Sequence, residues 1–300
     1  MLPFGQPTSP SEGNTLNIDP ATFVLERQLA WARRHDIPLV GSQGERGRRT
    51  YADTLDHNLF KPLSEAARAE YAAGDGGELG RTDGIPGKMQ AVHSSSALCC
   101  NVFEYWRGRP AVIAKACGLP QSGATIAFEQ KLPIDSSQFR YAPNLDAVVR
   151  YTSGPFDLIA IESKFSEPFS TRVHAGVKAA YLGASCSDFW RGFPVLKKLA
   201  GKMSPDNRAY TYLDAAQPLK HIFGLSRNAK KKFQLLYLYY AVPGQAGATH
   251  ADEVADFIAL AKRDGVTVSV LTYQDLIVRL LHAGGDGDAA YSNYVAERYL

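Results

Sequence analysis

The chain has 300 residues, 45% of them hydrophobic and 21% charged, and a net charge of +3. That composition suits a globular protein with its own core and argues against fibrous, disordered and membrane-spanning classes; the longest uncharged apolar run, residues 233–242, is about half of the ~20 residues a bilayer helix needs. Residues 1–7 lack both parts of an export signal, and Cys99, Cys100, Cys117 and Cys186 show no C-x-x-C spacing, so the expectation is a cytoplasmic chain with buried free thiols.

Residues 1–18, rich in Pro, Ser, Gly and Asn, are expected to be poorly ordered. Residues 20 to about 34 predict a helix, with Asp19 as its cap and Pro20 at its first position. Residues 41–49 read as a polar loop carrying Arg46, Arg48 and Arg49. Ser64 and Glu65 open a second helix that ends before Gly74, and residues 74–87 read as a long loop. Serines 94–96 then cap a mostly buried helix whose one acid is Glu104. After a short helix ending near Gly118 come three strands, 124–132, 144–151 and 157–165. A compact turn joins the second and third, so they should form an antiparallel hairpin. Asp214 caps a helix over 215–223, with Pro218 tolerated in its first turn. Residues 233–242 read as a central strand, followed by a helix (253–263), a strand (266–271) and a helix (274–282).

The hairpin carries the informative residues. Side chains alternate along a strand, so Glu162 and Lys164 share a face. Asp146 lies eight residues before Gly154 and Glu162 eight after it, which places the two carboxylates side by side. Adjacent carboxylates repel unless a cation neutralises them or one takes a proton, and a hard divalent ion is the natural neutraliser. Ile159 and Ile161 fill the opposite face, as in a strand with one face on a core and the other lining a cleft. An E-x-K triplet arises about once by chance in a chain this long. Here there is a second, Glu129-Gln-Lys131, but with no acid close upstream. The alternative reading of Asp146, Glu162 and Lys164 is an ordinary cross-strand ion pair with one extra acid.

Pro143-Asn-Leu-Asp146, a turn, and Ile161-Glu-Ser-Lys164 together resemble the signature of the PD-(D/E)XK nuclease superfamily. The element order over residues 93–242 is similar to its restriction-endonuclease-like core, and the wording of 128–133, 143–146 and 160–165 resembles bacterial restriction endonucleases. One departure is that Pro143 is not adjacent to Asp146. The resemblance implies an α/β fold, a mixed central sheet flanked by helices, with N- and C-terminal extensions. It implies Asp146, Glu162 and the Ser163 backbone carbonyl as ligands of Mg²⁺, with Mn²⁺ able to substitute. Lys164 would orient or deprotonate the attacking water. It extends to Glu104 and Gln217 as accessory groups, for which capping or solvated roles are the alternatives. Glu129 and Lys131 are read as bordering the cleft or touching phosphate, with Glu129 ranked below Glu162 as a ligand.

The charge is unevenly spread. Residues 195–232 hold nine basic residues, Lys197, Lys198, Lys202, Arg208, Lys220, Arg227, Lys230, Lys231 and Lys232, against Asp206 and Asp214, a local balance of +7. With Trp190, Tyr210 and Tyr212 nearby, this segment reads as a nucleic-acid contact. Residues 249–300 balance to −4, with eight acids against four bases. No P-loop, dinucleotide fingerprint or G-x-S-x-G elbow occurs, and His93 and His221 read as capping or core residues. The expected organisation is one elaborated domain: a mostly helical extension (1–90), a catalytic core with an inserted basic segment (91–245) and an α/β extension on the same sheet (246–300). The expected function is metal-dependent DNA cleavage by a restriction-type endonuclease. A repair nuclease, an RNA nuclease and an inert nucleic-acid binder are the alternatives, and family analogy allows a homodimer.

Overall fold

The computed structural model describes residues 19–44, 46–80, 84–119, 124–135, 139, 142–152, 154–170, 174–228 and 233–300. The expected disorder of residues 1–18 and the contacts assigned to Lys230, Lys231 and Lys232 lie outside these. The chain opens with α1 (Pro20–Arg34), where Asp19 accepts the Thr22 N–H and Pro20 begins the first turn. A hairpin follows, β1 (Leu39–Gln43) and β2 (Arg46–Ala52), where residues 41–49 read as a loop. No apolar alternation announces it. Gln43 pairs with Arg46, Gly44 takes φ 73°, and a Cβ at Gly41 would lie 1.9 Å from the Arg46 carbonyl oxygen, so glycine is required where the strands close. The described part of residues 19–90 thus carries a two-stranded hairpin between α1 and α2 as well as its helices. Ser64 caps α2 (Glu65–Ala73) and Ser94 caps α3 (Ser95–Phe103), which α4 (Pro110–Ala116) follows.

Three antiparallel strands come next, β3 (Thr125–Lys131), β4 (Asn144–Arg150) and β5 (Leu158–Lys164). Helices α5 (Ser187–Gly192), α6 (Pro194–Lys202) and α7 (Ala216–Asn228) lead to β6 (Phe233–Tyr239), which lies parallel to β5. Helix α8 (Gln245–Arg263) leads to β7 (Val268–Thr272), parallel to β6, and α9 (Tyr273–Ala283) and α10 (Ala289–Tyr299) end the chain. The five strands stand in sequence order, a mixed sheet, as expected. Three details differ from the sequence reading. Helix α7 runs to Asn228, α8 begins at Gln245 among small and polar residues, and α10 was not anticipated. Its signal is Tyr291, Val295 and Tyr299, one every fourth residue, all buried.

Helices cover both faces of the sheet. Ile159, Ile161, Leu236 and Leu238 pack toward α3, α4, α9 and α10, while Leu158, Ala160, Leu235 and Tyr237 pack toward α5 to α8. Strand β5 is buried along its whole length, as a central strand between two helical layers must be. Truncating such a residue, for instance Ile161→Ala, costs roughly 2–5 kcal/mol. The parity of Leu158 and Ala160 continues into Glu162 and Lys164. These charged side chains therefore emerge beneath α7, a covered face rather than the open cleft wall expected from alternation. The four cysteines are buried and free. No described helix is long and apolar enough to cross a membrane.

Candidate active site

The register assembles the site. Phe128 pairs with Ala147 and Ala147 with Ile161, so one step along the strands Glu129, Asp146 and Glu162 fall in a single row across β3, β4 and β5. The ladders are interrupted at this row: β3–β4 resumes at Gln130–Leu145, and β4–β5 ends. Glu129 is skipped on β3 and adopts φ 50°, a left-handed conformation unfavourable for a residue with a Cβ. The last pairing of β4 with β5 is Ala147 to Ile161, beyond which the Asp146 carboxylate accepts the Ser163 N–H at 2.7 Å. A strand residue directs its N–H and C=O to the same edge, so the Ser163 carbonyl also faces β4. On the other side of the sheet the Ser163 hydroxyl meets Tyr273 Oη at 2.6 Å and the Ser95 carbonyl at 3.4 Å.

Two residues of α7, one turn apart, hold the Glu162–Lys164 pair. Lys164 Nζ lies 2.5 Å from Glu162 Oε1 and donates to Gln217 Oε1 at 2.9 Å, while His221 Nδ1 lies 3.1 Å from Glu162 Oε2. Glu162 is fully buried and Lys164 is 9% exposed. Burial alone would raise Glu162, yet Lys164 and His221 outweigh it and hold the carboxyl down at about 2. Burial would lower Lys164, but Glu162 and Asp146 outweigh it and raise the amine. Asp146 is the loser. Burial and then the Glu162 charge push it well above its ordinary value, against the opposing pull of Lys164 and the Ser163 N–H. Burial likewise pushes Glu129 up to about 7, although Asn144 Nδ2 donates to its carboxylate. Gly74 leaves Glu129 room, since a Cβ there would lie 2.8 Å from Oε2.

Such crowding is what a cation relieves. Among the described residues no group of three or more His, Cys, Asp or Glu side chains could hold a metal ion, which disfavours a site built from side chains alone. The donors fit a magnesium ion, which takes one or two carboxylates and completes its shell with water and substrate phosphate. Asp146 Oδ2 is used by Ser163. Both Glu162 oxygens have ionic neighbours but no hydrogen-bonded partner, and the Ser163 carbonyl faces the same edge.

A cavity of about 240 Å³ opens at Lys164, lined by Glu167, His174, Tyr212, Asp214 and Gln217. A hollow of about 690 Å³ continues past Gln217 to Asn144, Lys178, Lys220 and His221. Glu104 takes no part: it accepts from Ser64 Oγ at 2.5 Å and Arg107 Nε at 2.6 Å, a packing contact beside Glu70. The basic residues scatter. Lys220 lines the hollow, but Lys131 pairs with Asp75 at 2.7 Å and Arg208 lies 3.7 Å from Asp206. Lys197, Lys198 and Lys202 are exposed on α6, whose first turn is held by Asp264, and Arg227 borders an apolar hollow with Phe189, Phe193 and Phe233. Trp190 is buried and donates to the Tyr181 carbonyl, and Tyr210 donates to Asp256, so these aromatics serve packing. His221 is the residue the sequence reading left aside; its signal was the i, i+4 spacing from Gln217. No curated protein and no solved structure matches the chain. A family described as REase-ARP, "Restriction Endonuclease associating with ARP", matches residues 25–300, and with that coverage the chain belongs to this restriction-endonuclease-associated family.

Proposed function

We propose that the chain is a Mg²⁺-dependent nuclease of the PD-(D/E)XK type that hydrolyses phosphodiester bonds in DNA. The observation that carries this reading is the row of Glu129, Asp146 and Glu162 with Lys164 two residues on, held by Gln217 and His221. Asp146, Glu162 and the Ser163 carbonyl would hold the ion, which supplies a Lewis acid that makes water more acidic and draws charge from the phosphate. Lys164, a cation between two carboxylates, orients the attacking water and offsets the negative charge growing on phosphorus. Gln217 fixes the Lys164 amine through its side-chain oxygen, and His221 fixes Glu162 from the opposite side. Glu129 ends the row on β3 and adds a third carboxylate to it. The groove past Lys220 and Lys178 gives a phosphate backbone a route to Lys164.

The test is cleavage of supercoiled plasmid with Mg²⁺, alongside Asp146→Ala and Lys164→Ala. The wild type converts the plasmid to nicked or linear product, and each variant loses about 10²–10³-fold or more in rate. Equal cleavage by all three contradicts the assignment. No cleavage of plasmid or of a single-stranded RNA favours an inert binder.

A further inference from the structure

A hollow of about 720 Å³ lies away from the carboxylate row. It lies between the β1–β2 hairpin and Leu79, Gly80, Ile85 and Pro86, with Arg49 on its wall. The hairpin is a two-stranded sheet separate from the main one, and such a pair is marginally stable alone. Its base is secured: Tyr51 bridges to Ala91, and Thr50 and Ala52 are buried. The outer half is exposed from Arg46 to Arg49, so three guanidinium groups within four residues project from it. Arg48 pairs with Glu26 at 2.7 Å, whereas Arg46 and Arg49 have no carboxylate partner among the described residues. The sequence of the hairpin holds one acid, Glu45.

The base of this hairpin sits against the catalytic end of β5. Val92 donates to the Thr50 carbonyl at 2.9 Å, and three residues later Ser95 offers its carbonyl to Ser163. Between them stands His93, close enough to feel the charges of both Arg48 and Glu167, and Glu167 lines the Lys164 cavity. Helix α1, which leads into the hairpin, touches residues 167–169.

We propose that the outer half of the β1–β2 hairpin is a phosphate-gripping arm, with Arg46 and Arg49 holding the backbone of the nucleic acid whose scissile bond lies at Lys164. This rests on the nuclease reading. Guanidinium forks match phosphate oxygens bidentately, and contacts of this kind set register without reading sequence. The arm replaces residues 195–232 as the main electrostatic footprint.

The experiment is binding of a fluorescein-labelled 30-base-pair duplex to the full chain in Ca²⁺, across 50–300 mM salt. It compares wild type, Arg46→Ala/Arg49→Ala, and a charge-matched control, Lys262→Ala/Arg263→Ala, at the exposed end of α8. Each phosphate contact adds about 0.9 to the slope of log affinity against log salt, so the arm variant loses about 1.8 and binds roughly tenfold or more weakly, while the control matches wild type. The exposed positions leave the thermal midpoint unchanged. An unchanged slope in the arm variant, or equal weakening in arm variant and control, overturns the arm and leaves the cleavage reading standing. Absence of any salt-dependent binding by wild type overturns both.

Discussion

Charge is buried in several parts of this molecule, and two of them are resolved in opposite ways. Arg298 on α10 is 1% exposed and makes five hydrogen bonds, to Gln28 Oε1, the Asn58 carbonyl and Oδ1, Tyr294 Oη and the Val92 carbonyl. Its guanidinium lies 4.1 Å from the Trp31 ring centroid and 5.2 Å from that of Tyr299. Every hydrogen-bond partner is neutral, and the cluster ties α10 to α1 and to the residue 58 turn. At the end of β3, β4 and β5 the opposite holds. Three carboxylates share a row with one lysine in contact, Glu129 bends into a left-handed conformation, and Asp146 is driven up by burial and then by the Glu162 charge. Buried charge alone does not mark a functional site. Repulsion left standing is what sets the carboxylate row apart, and it supports the proposed site.

The sharpest way to separate the two clusters is to remove one cation from each. Lys164→Ala should abolish most plasmid cleavage per folded molecule, by about 10²–10³-fold or more, and also cost stability because the buried Glu162 loses its cation. Arg298→Ala should cost roughly 3–5 kcal/mol in urea unfolding because it strands several buried oxygens, with cleavage per folded molecule unchanged. A folded, normally stable Arg298→Ala chain would erase the contrast.

His250 gives a smaller test. It is wholly buried, with Nε2 3.0 Å from Tyr237 Oη, and burial lowers its pKa to about 4 from an ordinary 6.5. The unfolded chain therefore takes up the proton first as pH falls, so stability declines between pH 6.5 and about 4, by up to roughly 3 kcal/mol. Urea melts at pH 7.5, 5.5 and 4.5 should show a shallower decline for His250→Gln than for wild type. Equal slopes would remove His250 from the account. Smallest is Asp146→Asn, which keeps an acceptor for the Ser163 N–H but removes the repulsion. In the presence of EDTA it should raise stability by up to ~1 kcal/mol and abolish cleavage. A lower midpoint would mean that the row is not under strain.

Much of this was written in local patterns. The helix caps at Asp19, Ser64 and Ser94 and the strands β3 to β7 are legible because capping and apolar runs are short-range signals. The neighbouring positions of Asp146 and Glu162 follow from symmetry about Gly154, which the ladder from Arg150–Leu158 to Ala147–Ile161 reproduces. Tertiary facts were not legible. The strain at Glu129 depends on β4 and Gly74, the engagement of Glu104 on Arg107, and the hairpin on a close approach at Gly41. His221 reads as a core histidine until α7 is laid over β5. The density of lysines in residues 195–232 is real, but a linear count carries no information about direction, and the described basic residues of that segment lie on several surfaces.

The central claim is that the carboxylate row is built for a divalent cation, and the most direct measurement is the thermal midpoint of wild type and Asp146→Asn as Mg²⁺ is added to metal-stripped protein. A ligand at 100 times its dissociation constant stabilises the native state by about 2.7 kcal/mol. The wild-type midpoint should therefore rise by several degrees and saturate, and that of Asp146→Asn, already higher without metal, should stay level. A wild type indifferent to Mg²⁺, or an equal rise in both proteins, would contradict the claim.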